Sequence, residues 1–255
     1  MANTVFNNKI IEAKAKDLLT TAVNTRNLMA VDTTLAAEAG MTKTINVYTY
    51  TGEAEELGVG EGNSVRGAVS FTGTDYTAKM VQANFDYADE DFMKDNTVVD
   101  TGVQGATAIL KNKMTADFVA ECEKASLSHT APLSYDAIVD AIAKLNVENE
   151  AGLYILTNPE GKAELRKDPD YVAARMGEVV YNGQVGTVAG IPVIVSKAVA
   201  NTYVADKNAV KLFLKKDIEV EQERDADKRM NSIYLRAVYI CALADATKIV
   251  KIIEG

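Results

Sequence analysis

Between Lys43 and Tyr87 the chain devotes 45 residues to β-type, mostly polar sequence with no core of its own. Its middle, Gly52 to Asn63, is acidic and glycine-rich, while the flanks 43–51 and 65–72 carry β-branched and aromatic residues at nearly alternating positions. That alternation suits strands with two different faces, so the stretch reads as a two-stranded ribbon. About 15 residues up and 15 back would reach roughly 50 Å at strand rise. A compact body of this chain length has a radius of gyration of only about 18 Å. The tip must therefore leave its own domain, and an isolated two-stranded ribbon is marginal in water. The expected support is another copy of the chain, the alternative being an exposed, mobile hairpin with no partner.

At 255 residues, 47% of them apolar, the chain is long enough to bury a proper core. Its formal charge of −9 disfavours holding phosphate backbones or anionic lipid by bulk attraction. No apolar run approaches the roughly 18–20 residues of a membrane helix, and the start at Met1 lacks a basic stretch followed by an apolar one, so synthesis in the cytosol is expected.

Sites of chemistry are not expected. Cys122 and Cys241 read as small buried hydrophobes. His129, in Ser126-Leu-Ser-His-Thr-Ala-Pro132, reads as a loop residue with neither nucleophile nor base at useful spacing. With one histidine and no clustered cysteines a zinc site is not indicated, and we expect no catalytic residue, metal or cofactor. The cluster Gly58-Val-Gly-Glu-Gly62 lacks the third glycine of a dinucleotide fingerprint, since position 63 is Asn63, and acidic residues precede it. The pairs Glu55-Glu56 and Asp225 with Asp227 read as solvated charge. The residues singled out are therefore contact residues. Glu53, Glu55, Glu56 and Glu61, with Arg66, are candidates to clamp a neighbouring subunit.

The rest of the chain alternates between helix and strand. Ile10, Ile11, Ala13, Leu18, Leu19 and Val23 suggest a helix in an N-terminal arm. Residues 76–87 alternate like a strand returning to the body, and the acidic 88–91 marks a helix start. From Val98 to about Leu127, Val103, Ala106, Leu110, Met114, Phe118 and Cys122 recur at three- and four-residue steps, predicting about 45 Å of helix. A second helix runs 134–145 with Ser134 as cap. Residues 153–156 predict a buried strand, and Asn158 with Pro159 opens another helix. Residues 183–196 read as turn and strand. The segments 210–214, 218–222, 232–243 and 247–253 read as late strands.

This order of ribbon, acidic turn, long helix, a mixed part containing Gly190-Ile-Pro-Val193, and the pair 232–240 and 247–252 resembles tailed-bacteriophage major capsid proteins of the Hong Kong 97 fold. The resemblance implies an α+β fold with an N-arm (1–42), an extended β-hairpin E-loop (43–88), a peripheral domain with the long spine helix (89–133), an axial domain (134–215), and late strands returning to the peripheral domain (216–255). It implies a virion shell protein, not an enzyme, that self-assembles through hexamers and pentamers into an icosahedral shell around double-stranded DNA. A separate scaffolding protein and a portal are the further partners implied, with assembly in the host cytoplasm. Some members of the family crosslink through an E-loop lysine. Here no lysine lies between Thr44 and Ala78, which points to noncovalent contacts. The alternatives are an encapsulin-type compartment shell with the same fold and a soluble nucleotide-binding enzyme.

Overall fold

The computed structural model describes residues 11, 25–37, 39–170 and 186–253. Two sheets and a ribbon surround one long helix. The strands are β1 (Ala30–Asp32), β2 (Thr42–Thr51), β3 (Ala68–Thr77), β4 (Lys79–Ala88), β5 (Leu127–Thr130), β6 (Leu153–Thr157), β7 (Thr187–Val188), β8 (Ile191–Val195), β9 (Thr202–Asp206), β10 (Val210–Asp225), β11 (Met230–Leu243) and β12 (Ile249–Ile253). The helices are α1 (Asp89–Lys94), α2 (Val98–Cys122), α3 (Tyr135–Leu145) and α4 (Pro159–Lys167). One sheet has the order β1-β10-β11-β4 and the other β5-β12-β9-β6-β8-β7, while β2 and β3 pair only with each other.

Helix α2 is the spine. Its stripe Val99, Val103, Ala106 and Leu110 packs on Ala83, Tyr87, Ile233 and Leu235 of the four-stranded sheet. From the next turn on, Met114, Phe118 and Cys122 join Tyr154, Tyr203, Tyr239 and Ile249, so the same helix also seals the junction with the six-stranded sheet. On its lower half the Asp117 carboxylate is buried, accepts the Tyr239 hydroxyl at 2.9 Å, and lies 3.3 Å from both Lys79 and Lys113. Local signals are met where they were expected. Ser134 Oγ accepts from Ala137 N at 3.2 Å, and Asn158 caps α4 by accepting from Gly161 N at 2.6 Å, with Pro159 in the first turn.

Several expectations are corrected by pairing that no local pattern announces. The spine stops at Cys122 and not near Leu127, because Leu127–Thr130 is taken up as β5, parallel to β12, which also makes His129 a strand residue and not a loop residue. The strand pair read at 210–214 and 218–222 is one 16-residue strand, β10, irregular between Leu214 and Glu219. Strand β12 joins the six-stranded sheet, between β5 and β9, and not the four-stranded sheet that holds β10 and β11. Ala30–Asp32 of the expected arm pairs parallel with β10. The arm helix expected over 10–23 lies outside the described residues, save Ile11, which is buried beside Val99 and Val103. The first part of 183–196 lies outside them too.

Phe118 is fully buried where the two sheets meet. Phe118→Ala is expected to lower stability by about 3–5 kcal/mol, read as a drop in the urea midpoint. Asp117 loses charge stability to burial, yet the Tyr239 hydroxyl and the Lys79 and Lys113 ammonium groups hold its carboxyl below the ordinary carboxylate range. A depressed folded-state pKa contributes stability above the unfolded value, about 3.9, that is lost as pH falls below it. Asp117→Asn should therefore lower stability at neutral pH and flatten the acid limb of the stability curve, measured by chemical denaturation from pH 7 to 3.

Candidate assembly interface

The ribbon is the part of the molecule that its own core does not cover. Ten residues of β2 oppose ten of β3 in unbroken register from Thr42↔Thr77 to Thr51↔Ala68. The paired part is thus about 34 Å long, shorter than the reach expected, because residues 52–67 at its end form no strand. Directly opposed residues share a face. Tyr48 opposes Phe71 and Tyr50 opposes Val69, giving one face three rings and an aliphatic side chain. Tyr48 and Phe71 are tilted 51° with centroids 6.4 Å apart. Both are about seven-tenths exposed, at 69% and 71%. Beyond them the Tyr50 ring lies over Gly52 and Gly67, where any Cβ would collide with it, so glycine at these two places lets the ring lie flat on the end of the ribbon. Exposed aromatic area of this extent marks a contact surface more often than a bare one.

The tip is an organised loop. Glu55 accepts from Ser64 N at 2.7 Å, Ser64 Oγ at 2.5 Å and Val65 N at 2.8 Å, and these bonds, the hydroxyl's first, hold its carboxyl below the usual range. Glu61 accepts from Gly58 N at 3.1 Å across a turn whose Gly60 has φ +88°. Two of the four glutamates singled out from sequence therefore brace the loop from within. Glu53, Glu56 and Arg66 are exposed and make no ion pair among the described residues. The glycine cluster sits between two strands, and no helix follows it, so the context a nucleotide fingerprint requires is missing. The aromatic face was not among the residues singled out. Its signal was present in the sequence as the alternation of Tyr48, Tyr50, Val69 and Phe71, but pairing register was needed to put them on one side.

At the opposite end of the four-stranded sheet, the β10–β11 hairpin carries Asp225 and Asp227. Asp225 is occupied by its own turn, accepting from the backbone of Asp227 and Lys228. Arg224 and Arg229 tie the hairpin to Asp89 and Glu90 of α1 at 2.8 and 3.3 Å. Among the described residues no group of three or more His, Cys, Asp or Glu could hold a metal, and no helix is long and apolar enough to cross a membrane.

The chain is 28% identical over 244 residues to the major capsid protein of Staphylococcus phage phiMR11, spanning 88% of this chain and 85% of the relative. Its fold matches the capsid of cyanophage P-SCSP1u, with TM-score 0.72 at 13% identity over 89% of this chain and 86% of that one. It also matches Mycobacterium phage Che8, with TM-score 0.67 at 18% identity over 89% of each chain. A virus-like particle from Pyrococcus furiosus shares the fold equally well, with TM-score 0.67 at 10% identity over 96% of this chain and 98% of that one. The expected Hong Kong 97-type α+β fold is thus the fold found. Residues 71–252 match the family described as phage capsid protein. That match covers well over half of the sequence, and the chain belongs to the phage capsid protein family.

Proposed function

We infer that this chain is the major capsid protein of a phage, a structural protein and not an enzyme, whose copies build the icosahedral shell around a double-stranded DNA genome. The observation that carries the reading is the ribbon: a 20-residue paired arm with an uncovered aromatic face, on a chain of the capsid family. In this reading residues 43–88 are the arm that lies on an adjacent subunit in hexamers and pentamers. The aromatic face supplies the buried area of the contact, and Glu53, Glu56 and Arg66 set which neighbouring charges it accepts. Glu55 and Glu61 act indirectly, by shaping the loop that presents them. The absence of lysine from Thr44 to Ala78 supports a noncovalent hold. The net charge of −9 suits a container, because a strongly basic wall would adsorb the packed duplex. Separate scaffolding and portal proteins, and assembly in the host cytoplasm, complete the proposal.

Recombinant chain examined by electron microscopy should give closed shells. A stable monomer or dimer in size-exclusion chromatography would reject the reading, and small shells that copurify with an enzyme cargo would favour an encapsulin-type compartment instead. Replacing Glu53 and Glu56 together by lysine should cut shell yield while leaving the circular dichroism and melting temperature of the subunit unchanged. Wild-type yield from that variant would remove the tip charges from the contact. Tyr48→Ser with Phe71→Ser should reduce yield further, since about 1.5–3 kcal/mol is at stake for each large apolar side chain buried.

A further inference from the structure

The ribbon joins the body through two narrow places. Gly40, at φ +105° with open space around it, precedes β2, and the single residue Ala78 separates β3 from β4. The ribbon and the four-stranded sheet are separate sheets, so the ladder of one does not continue into the other. Among the described apolar residues of the ribbon, Ile45 and Tyr76, at the root, pack partly against Leu35, Phe213, Val238 and Ile240.

Across this root run two spine carboxylates one turn apart. Asp117 takes Lys79, on the body side of Ala78, at 3.3 Å. Glu121 bridges the two sides, accepting from the Tyr76 hydroxyl of the ribbon at 3.4 Å and from the Leu243 amide of the body at 3.3 Å, while Lys124 lies 2.7 Å from Glu121 and 5.6 Å from the centre of the Tyr76 ring. Between ribbon and spine remains an open cleft of about 620 Å³ that these side chains line.

We propose that Glu121 is a positioning residue for the ribbon. The Tyr76–Glu121–Lys124 contact holds the ribbon at its angle to the spine, and the ribbon turns as a lever about Gly40 and Ala78 when that contact yields. Asp117 cannot play this part, because its partners Lys79, Lys113 and Tyr239 all belong to the body. The contact is suited to yielding: 3.4 Å is long for a hydroxyl–carboxylate bond, and half-exposed lysine–carboxylate pairs are weak. Ten unbroken backbone pairs keep the lever itself stiff. Such play would let identical arms reach their seats from subunits meeting at more than one angle. That use rests on the intersubunit reading above, whereas the lever is a property of the single chain.

The test is a distance distribution by pulsed electron spin resonance, with spin labels on Thr72→Cys and Ala116→Cys, in full-length chain diluted into unlabelled chain. Both native cysteines are buried, with thiol pKa values pushed up by that burial, and stay unlabelled. Tyr76→Phe and Glu121→Gln should each widen the distribution about twofold as a second ribbon angle becomes populated, and Asp117→Asn should leave the width unchanged. Parent-like widths in both ribbon-side variants would overturn the proposal, as would equal widening by Asp117→Asn, which would mean general loosening of the spine. Widening in chains that never form shells would keep the lever and reject the intersubunit reading.

Discussion

The burial of one helical stripe between two sheets is the interaction on which the rest of this structure depends. Neither sheet closes on itself. The four-stranded sheet needs Val99, Val103, Ala106 and Leu110 to cover Ile233 and Leu235, and the six-stranded sheet reaches the same helix through Tyr154 and Tyr203. Because α2 serves both, the two sheets are fixed relative to each other by a single stiff rod. The polar contacts follow that choice. Asp117 and Glu121 lie on the last turns of the rod, where the ribbon leaves, so the element that unites the core also meets the element that departs from it.

The ribbon shows what happens where no core is available. Its two strands satisfy each other's backbone groups along ten pairs, but a two-stranded sheet has nothing behind either face. Its root borrows cover from Leu35 and Ile240, and its outer half leaves Tyr48, Tyr50, Val69 and Phe71 in water. In a monomer this face would be a liability for association. In the shell proposed above the same face would be the means of assembly. Glu55 braces the acidic tip beyond that face, and on the same proposal the tip charges would limit which surfaces it meets.

Much of this is legible in the amino-acid sequence. The three- and four-residue recurrence from Val103 to Cys122 named the spine and its buried side, since helical periodicity is a local property that survives folding. Ser134 and Asn158 announced helix starts because a cap is settled within three residues. What could not be read was which strand lies beside which. Leu127–Thr130 has too little pattern to be called a strand alone and becomes one only because β12 offers it a parallel edge. The irregularity between Leu214 and Glu219 reads as a break in sequence, yet β11 pairs across it and keeps one strand intact. The four glutamates of the tip looked alike as a run of charge, and only the fold of the loop separated the internal braces Glu55 and Glu61 from the exposed Glu53 and Glu56.

The sequence by itself determined that this chain carries an arm too long and too polar for its own core and a long amphipathic helix, because composition and periodicity are local and additive. The tertiary structure decided the shorter paired length of that arm, the gathering of its aromatic residues on one face, and its attachment through Tyr76 and Glu121. These depend on register and on contacts between residues tens of positions apart, and a shift of one residue in pairing would have turned every one of those side chains to the other side.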